Sequence, residues 1–463
     1  MVGLPEHIFR EYDIRGLATE LDDETCFLIG KAFGSYVLRN SGNLITLGMD
    51  NRKSSKRIKK AFASGVMSTG CNIIDIGTVP IPALYFSIIH FKASGGAMIT
   101  GSHLTKEFNG FKLSASSKAL TLYGKQIAKL REMIAKQDFE NGDGSLQKKD
   151  VLEAYINAIA ERVHLEREVS VVVDCGNGCS SLVVEELFKR IGCKAKLLYC
   201  SLDSRFPNHQ PDPTKVENMQ DLINAVKEHN ADLGVAFDGD SDRIGAVDEK
   251  GNIIWGDYLL ALFSAELLKR KPKAKIVFEV KCSQALPEVI ERCGGIPIMY
   301  KTGHSLIKQK MVEENALLAG EMSGHMFFRD NYFGFDDALF AASRLCELVS
   351  KSDKKLSELL AEMPKYYATP ELRISCLEQE KWHIVERARQ HFSKRYNAIT
   401  IDGIRVLLED GWFLIRASNT SAKIIVRAEA KSEQRLKEIL YMLEKKLVEF
   451  GLAKEEVEKI KQC

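Results

Sequence analysis

The sequence lacks long apolar runs and an excess of charge of either sign. No stretch of its 463 residues approaches the roughly 18 consecutive apolar residues of a membrane-spanning helix, and residues 1–12 carry no apolar run typical of a signal peptide. Lys and Arg number 65, Asp and Glu number 63, and the formal net charge is +2. This balance argues against a protein that coats nucleic acid and against an acidic disordered protein. We therefore expect a cytoplasmic protein that acts without nucleic acid or membrane.

The sequence also lacks the motifs of several common site classes. Its eleven cysteines are odd in number and scattered, with no Cys-x-x-Cys pair, which argues against a disulfide framework or a zinc site. No Gly-Lys-Ser/Thr sequence occurs, so there is no P-loop. Gly176-Asn177-Gly178 follows a predicted strand, but Ser181 stands in place of the third glycine of a dinucleotide loop. A dehydrogenase is therefore disfavoured, and the thiols are expected to be reduced and mostly buried.

Apolar strands alternate with amphipathic helices over most of the chain. The first round has predicted strands at residues 44–48, 72–76 and 96–100, and the rhythm restarts twice further along the chain. This order predicts mainly parallel sheets covered by helices. After about Pro364 the pattern changes to short strands joined at Asp410-Gly411, a hairpin signal, and ends in an amphipathic helix. We predict α/β domains and a last α+β domain at residues 1–147, 148–253, 254–365 and 366–463.

Three aspartates alternate in a loop that follows the predicted strand at residues 233–237. Asp238, Asp240 and Asp242 repel one another unless a cation lies among them, and an all-oxygen ligand set suits Mg²⁺, Ca²⁺ or Mn²⁺. The spacing also matches the start of an EF-hand, but Arg243 occupies the position where that loop needs glycine. A solvated acidic loop is the alternative to a metal site.

A serine follows the predicted strand at residues 96–100. In open α/β sheets ligands bind beyond the carboxyl ends of strands, so Ser102 is a candidate nucleophile or phosphoryl acceptor. A cap in an ordinary loop is the alternative. We expect no dyad between Ser102 and His103, because adjacent residues of an extended chain point to opposite sides.

Two further polar loops carry groups that suit a phosphorylated sugar. Glu321, Ser323 and His325 lie among glycines and could hold vicinal hydroxyls and move a proton. The loop at residues 416–421 offers a guanidinium fork, hydroxyls and an amide to one phosphate, and Arg427 is expected to add to it. An ordinary polar turn is the alternative for each loop.

Taken together, these motifs resemble the phosphomannomutases and phosphoglucomutases of the α-D-phosphohexomutase family. The resemblance covers nearly the whole chain, and its motifs occur in the family's order. They are Phe9 to Gly16, Thr100 to His103, Asn109 to Lys112, Asp174 to Gly178, the Pro-Asn-His sequence at residues 207–209, Asp238 to Arg243, Lys281, Gly303 to Ser305, Gly320 to His325 and Arg416 to Thr420.

The resemblance implies four domains around one cleft, the first three with mixed sheets, and a serine that carries a phosphoryl group. The ligands it implies for Mg²⁺ are Asp238, Asp240, Asp242 and a phosphate oxygen on Ser102. The residues it implies in catalysis are Ser102, Arg15, Lys112 and His325. Those it implies in substrate binding are Tyr12, Lys281, His304, Glu321, Ser323, Arg416, Ser418, Asn419 and Thr420, with Arg243 and His103 as charge support.

The implied activity is reversible phosphoryl transfer between the 1- and 6-positions of mannose and glucose phosphates. A hexose 1,6-bisphosphate would be its intermediate and activator. Met322 resembles the glucose and mannose branch, because a phosphoglucosamine mutase, the alternative within the family, usually has Gln there. A non-catalytic phosphosugar-binding protein is the alternative of another class, although binding alone requires no phosphorylatable serine. The expected partners are small hexose phosphates, and the chain is expected to be a monomer or a homodimer.

Three positions depart from the family's pattern. Leu104-Thr105 stands where Asn-Pro is usual, and Ser241 stands where Gly is usual. Ser421-Ala422 replaces an acidic or polar residue followed by Pro. None of the three departures removes a candidate catalytic group.

Overall fold

Residues 5–419 and 421–458 are described by a computed structural model, which arranges their strands in four sheets. The strands of the first sheet are β1 (Ile14–Leu17), β2 (Leu44–Met49), β3 (Asn72–Thr78), β4 (Gly95–Ile99), β5 (Phe108–Ser114) and β6 (Leu146–Lys148). Its helices are α1 (Asp23–Asn40), α2 (Ser55–Met67), α3 (Ile81–His90) and α4 (Lys125–Lys136). In the order β1-β5-β4-β2-β3-β6, only β5 runs antiparallel to its neighbours among the described strands.

The second sheet repeats the mixed arrangement on a smaller scale. Its strands are β7 (Val169–Asp174), β8 (Cys193–Leu198), β9 (Leu233–Phe237), β10 (Ile244–Asp248) and β11 (Ile253–Ile254). The helices beside it are α5 (Leu152–Ala160), α6 (Val184–Arg190) and α7 (Gln220–Glu228). In the order β11-β10-β9-β7-β8, the three strands that connect through helices are parallel, and β10 returns antiparallel to β9.

The third sheet has the order β13-β12-β14-β15, with the last strand antiparallel. Its strands are β12 (Lys275–Glu279), β13 (Ile296–Tyr300), β14 (Leu318–Gly320) and β15 (Met326–Phe328). Its helices are α8 (Gly256–Arg270), α9 (Ala285–Arg292), α10 (His304–Glu313), α11 (Ala338–Ser350) and α12 (Leu356–Ala361).

The fourth sheet is antiparallel throughout its described pairs. Its strands are β16 (Tyr367–Ala368), β17 (Leu372–Ser375), β18 (Asn397–Ile399), β19 (Ile404–Leu408), β20 (Gly411–Ala417) and β21 (Lys423–Ala430). Its helices are α13 (Lys381–Phe392), α14 (Glu433–Glu449) and α15 (Lys454–Val457). The Asp410-Gly411 signal lies at the hairpin between β19 and β20.

Burial on both faces explains why β4, β9 and β10 are apolar, apart from Asp248 at the end of β10. All residues of β4, β9 and β10 are buried, as expected for strands covered on both faces by helices. One continuous apolar core joins elements of the first three sheets, from Ile74 to Leu356, whereas the fourth sheet has a core of its own. The expected fold class, three α/β units with mixed sheets and a C-terminal α+β unit, is confirmed. Among the described helices, none combines the length and the apolar character needed to cross a bilayer.

Candidate active site

Loops from all four sheets meet at one cleft of about 620 Å³. The Ser102 loop follows β4, the Glu321 loop follows β14, and the Ser418 loop follows β20. The sequence-predicted residues that line the cleft are Tyr12, Arg15, Ser102, His103, Lys112, Arg243, Lys281, His304, Glu321, Ser323, His325, Arg416, Ser418 and Asn419. The three aspartates of the loop after β9 are buried beside Ser102 and Lys112. Thr420 lies outside the described residues.

The Ser102 hydroxyl is aimed at the aspartate loop. Its Oγ donates to Asp238 Oδ2 at 2.9 Å, and the Ser102 amide donates to Thr100 Oγ1 at 2.8 Å. The backbone of Ser102 has a φ of +49°, so it is left-handed and not extended. The prediction that Ser102 and His103 point apart is therefore wrong, since Oγ lies 3.2 Å from His103 Nδ1. The enclosed position of His103, with Arg243 nearby, holds its pKa well below the usual range, so the imidazole is neutral.

The three aspartates form a buried cluster with too little positive charge around it. Asp238, Asp240 and Asp242 each offer an oxygen, and these oxygens all lie within 4.8 Å of one another. Lys112 is the ammonium in contact, with Nζ 2.9 Å from Asp240 Oδ2 and also bonded to Asp242. The second oxygens of Asp240 and Asp242 have no hydrogen-bond partner among the described residues. A buried all-oxygen set with unpaired lone pairs and excess negative charge fits a hard divalent cation such as Mg²⁺.

Lys112 is held in its charged form by this cluster. Burial alone would lower the pKa of Lys112, but the carboxylates of Asp240 and Asp242 outweigh burial and raise it. An ammonium held in this way donates hydrogen bonds and stabilises negative charge. Arg15, which also lines the cleft, is paired with Asp13 at 2.5 Å.

Two histidines lie side by side over a buried carboxylate. The rings of His304 and His325 are stacked at 5.3 Å, and the Nδ1 atom of each lies 3.3 Å from Asp336 Oδ2. Arg243 Nε donates to His325 Nε2 at 3.0 Å, which assigns the ring proton of a neutral His325 to Nδ1, facing Asp336. Burial would raise the pKa of Asp336, but Lys308, at 2.8 Å, and the histidines outweigh it and hold that pKa well below its usual range.

The sugar-facing loop carries a carboxylate that titrates near neutrality. Glu321 Oε1 accepts from the Gly303 amide at 2.6 Å. Burial and the neighbouring Glu279 raise the pKa of Glu321 to about 7. Lys281 lies close by, with Nζ 2.8 Å from Glu371 and 3.5 Å from Glu279.

The loop after β20 is joined to the other units through Tyr12. Arg416 Nε donates to Asp402 Oδ2 at 3.1 Å, and the same oxygen accepts from the Thr302 amide at 3.0 Å. The Tyr12 hydroxyl donates to Thr302 O at 2.7 Å and accepts from Asn419 at 2.5 Å. Residues of the first, third and fourth units therefore meet at this end of the cleft.

Arg427 does not belong to this loop, so the expectation that it adds to phosphate binding is wrong. The structure buries it between the third and fourth units, where it pairs with Glu429 at 2.9 Å and Asp257 at 3.3 Å. It also donates to the Lys281 carbonyl oxygen and to Met322 Sδ. Because alternate residues of a strand point to opposite faces, a position eleven residues from Arg416 cannot be assigned to the same cleft by spacing alone.

Several residues that shape the site were missed from the sequence. Asp336 precedes another aspartate at the start of α11, where Asp337 caps the helix by accepting from the Phe340 amide at 2.9 Å. An Asp-Asp pair at a helix start is typical of capping and gave no sign of a second role. Glu371, which precedes β17, and Asp402, in the bend before β19, pair with cleft cations and have no motif around them.

Four domain models of one family match the chain in succession. They are phosphoglucomutase/phosphomannomutase α/β/α domain I at residues 6–141, domain II at residues 153–251, domain III at residues 255–367 and the C-terminal domain at residues 351–446.

Relatives and a solved structure match over nearly the whole length. A phosphomannomutase/phosphoglucomutase of Pseudomonas aeruginosa is 43% identical over 438 residues, which cover 94% of each chain. A phosphoglucomutase of Neisseria gonorrhoeae is 41% identical over 445 residues, which cover 95% of this chain and 96% of that protein. A crystal structure of a phosphoglucomutase/phosphomannomutase family protein of Burkholderia thailandensis matches with a TM-score of 0.91 at 38% identity, covering 97% of this chain and 99% of that chain.

Proposed function

The chain belongs to the phosphoglucomutase/phosphomannomutase family, and from this premise we propose that it catalyses reversible phosphoryl transfer between the 1- and 6-positions of mannose and glucose phosphates. A hexose 1,6-bisphosphate is the intermediate and the activator. The observation that carries the proposal is the Ser102 hydroxyl, 2.9 Å from Asp238 Oδ2 in a cleft whose other end presents Arg416. A cleft of this kind can exchange one phosphate at Ser102 while it holds the other.

Ser102 carries the phosphoryl group in the proposed cycle. The free hydroxyl of the bound sugar attacks the phosphorus, a new P–O bond to the sugar forms, and the bond to Ser102 Oγ breaks. The hydroxyl proton is transferred to Ser102 Oγ as that bond breaks; His325, whose ring is oriented by Asp336, assists this transfer, while Arg15 and Lys112 stabilise the phosphoryl oxygens. The bisphosphate then turns end for end, and its other phosphate returns to Ser102.

Asp238, Asp240 and Asp242 hold Mg²⁺ in this proposal, together with an oxygen of the phosphoryl group on Ser102. When bound, the ion supplies charge neutralisation at the transferring phosphoryl group. The chain's own part is to hold the three carboxylates close together, and Lys112 contributes to this by pairing with two of them.

The remaining cleft residues fix the sugar and the phosphate that is not being transferred. Glu321 and Ser323 accept and donate hydrogen bonds to sugar hydroxyls, and Lys281 and His304 line the path along which the sugar turns. Arg416, Ser418, Asn419 and Thr420 bind the distal phosphate, and Tyr12 holds their loop against the first unit. His103 adds a neutral hydrogen-bonding group beside Ser102, and Arg243 adds positive charge.

Sugar binding should weaken as the pH falls through about 7. The pKa of Glu321 is about 7, so the carboxylate that accepts from sugar hydroxyls predominates above that pH and is protonated below it. We expect KM for mannose 1-phosphate to rise several-fold between about pH 8 and about pH 6. The Glu321→Gln variant should have a higher KM at both pH values. Its KM should vary with pH only as far as the ionisation of the substrate phosphate requires. An equally steep KM profile in that variant would contradict the assignment of Glu321.

The Arg416→Lys variant should bind substrate weakly and turn it over at nearly the normal rate. Lysine keeps the charge but loses the guanidinium fork, and hydrogen bonds to a charged group contribute about 1.5–3 kcal/mol, which corresponds to roughly a 10- to 100-fold rise in KM. Because the distal phosphate is held equally in the ground and transition states, kcat should change little. Arg389→Lys, an exposed position on α13, is the matched control. An unchanged KM in Arg416→Lys would remove Arg416 from the phosphate site.

Turnover of three substrates tests the proposed function. Glucose 1-phosphate, mannose 1-phosphate and glucosamine 1-phosphate are offered separately with Mg²⁺ and a trace of hexose 1,6-bisphosphate, and 6-phosphate formation is followed. We expect turnover of the first two. Turnover of glucosamine 1-phosphate alone would replace the proposal with a phosphoglucosamine mutase, and turnover of none would overturn it.

We further propose that the protein acts in the cytoplasm as a monomer or a homodimer, without nucleic acid or membrane.

A further inference from the structure

The backbone of Ser102 adopts a conformation that its own segment explains only in part. Its φ of +49° is uncommon for a residue with a side chain and is maintained only when the surroundings fix it. Residues 101–108 contain no proline to restrict their backbone, and they form turns with no strand or helix until β5 begins at Phe108. Within the segment, the Leu104 amide donates to the Gly101 carbonyl oxygen at 3.1 Å and closes a turn around Ser102 and His103, and contacts from outside the segment add to this constraint.

One buried side chain, Arg52, binds four carbonyl groups of the segment, and Gln210 Nε2 donates to a fifth, that of His103, at 2.6 Å. The guanidinium has five N–H donors, and each has an acceptor. Nη2 donates to the carbonyl oxygens of Ser102 at 2.8 Å and Leu104 at 2.6 Å. Nη1 donates to those of Thr105 at 2.5 Å and Phe108 at 3.2 Å. The side chain is only 1% exposed and lines no part of the cleft described above.

Asp50 fixes the orientation of this guanidinium and also binds the segment. Its Oδ2 accepts from Arg52 Nε and from the Gly101 amide, both at 3.0 Å, so one carboxylate oxygen joins the arginine to the residue before Ser102. Gly101 allows the approach, because a Cβ there would lie 2.5 Å from Arg52 Nε and 2.6 Å from Cζ. The Ser102 segment, Asp50 and Arg52 are therefore packed as one unit.

We propose that Arg52 is a positioning residue for phosphoryl transfer: it binds the carbonyl group of Ser102 and three carbonyl groups that follow it, and so holds Ser102 in the left-handed conformation that aims Oγ at Asp238. The expected effect on kcat rests on the proposed function. The expected effect on the conformation of Ser102 rests on the backbone contacts alone. Arg52 acts through the backbone carbonyl group of Ser102 and lines no part of the cleft.

Lysine cannot replace this arginine. An ammonium has three donors and would have to serve four carbonyl groups and the Asp50 carboxylate, so at least two of these five acceptors lose their partner. The positive charge is kept, which separates the loss of geometry from the loss of charge. A displacement of about 1 Å at a reacting group can lower the rate by about 100-fold.

The test compares wild type with Arg52→Lys and with a matched control, Arg57→Lys. Arg57 also pairs with an aspartate and donates to two carbonyl oxygens, those of Ala18 and Leu21, but it lies away from the Ser102 segment. Hydrogen exchange of residues 101–108 is measured without substrate, and kcat and KM are measured with mannose 1-phosphate. In Arg52→Lys we expect faster exchange in that segment and a kcat about 100-fold lower, with KM changed by less than about threefold. Arg57→Lys should match wild type in all three measurements.

A second variant keeps the proposal testable if Arg52→Lys folds poorly. Gly101→Ala keeps the arginine at position 52, but the added Cβ displaces its guanidinium from the Ser102 segment. This variant should therefore show the same fast exchange and low kcat. The double variant should lose little more than either single variant, because both disrupt one contact. Unchanged exchange in Arg52→Lys, or fast exchange with an unchanged kcat, would overturn the proposal. If wild type turned over no hexose phosphate, the proposed function would fail, and the exchange comparison alone would decide whether Arg52 holds Ser102.

Discussion

Replacing Ser102 with alanine should abolish turnover of mannose 1-phosphate and glucose 1-phosphate, with kcat lowered by at least about 10⁴-fold. Ser102 Oγ is the atom to which the phosphoryl group is bound between half-reactions. Within the described residues, the Thr100 hydroxyl is the only other one hydrogen-bonded to the three-aspartate cluster. Thr100 Oγ1 already donates to Asp240 and accepts from the Ser102 amide, and Thr100 is only 1% exposed. It cannot take over the role of Ser102.

The matched control for this variant is Ser117→Ala, an exposed serine in the turn after β5. Both proteins are incubated with hexose 1,6-bisphosphate, and the mass of the intact chain is measured alongside turnover. Wild type and Ser117→Ala should each gain one phosphoryl group, and Ser102→Ala should gain none. Undiminished turnover in Ser102→Ala would show that another group carries the phosphate.

The position of Ser102 was predictable because it depends on a general property of open sheets. Ligands bind where parallel strands end, and Ser102, Asp238 and Glu321 each follow a buried strand. The chemistry of the aspartate loop was also visible, since alternating carboxylates that are buried together are unfavourable without a cation. These features are local in sequence, and a local pattern is what sequence reasoning can read.

The residues that support the site could not be predicted in the same way. Arg52 lies 50 residues before Ser102, and Asp336 lies 94 residues after Asp242, so only the tertiary fold brings each to its partner. Nothing in the sequence distinguishes such a charged residue from a solvated one, because its burial and its partners are set by packing of distant elements.

The one error of local geometry concerned the backbone next to Ser102. Sequence reasoning assumed an extended chain, in which His103 would point away, whereas the left-handed Ser102 brings His103 Nδ1 within 3.2 Å of Oγ. Glycine is the usual residue in that conformation, and a serine gives no sequence signal for it. The contacts of Arg52 help to explain this conformation, because they fix the carbonyl group of Ser102 itself.

The Asp238→Asn variant should bind Mg²⁺ poorly and lose about 10³-fold in turnover, since charge neutralisation by a metal ion contributes several kcal/mol to such a reaction. The substitution preserves most of the local structure. Asp238 Oδ1 accepts from the amides of Asp242 at 3.0 Å and Arg243 at 3.1 Å, and the asparagine oxygen can accept both bonds. What changes is the charge of the cluster and the contact at Oδ2, where the asparagine amide nitrogen can no longer accept from Ser102 Oγ.

Thermal unfolding separates the metal site from the catalytic step. Without divalent cations, Asp238→Asn should be at least as stable as wild type, because it removes one of three mutually repelling carboxylates that share a single ammonium, Lys112. Mg²⁺ should stabilise wild type by about 2.7 kcal/mol at a concentration of about 100 times its Kd, and it should stabilise the variant much less.

The matched control is Asp248→Asn, at the other end of the same hairpin. Asp248 is also buried and also accepts from two backbone amides, those of Lys250 at 2.9 Å and Asn252 at 2.8 Å, but it belongs to no carboxylate cluster among the described residues. Its variant should keep the full stabilisation by Mg²⁺. If Mg²⁺ stabilised Asp238→Asn and wild type equally, the ion would have to bind elsewhere. A cation bound outside the cluster would not respond to the loss of the Asp238 charge in a protein whose Ser102 loop is intact.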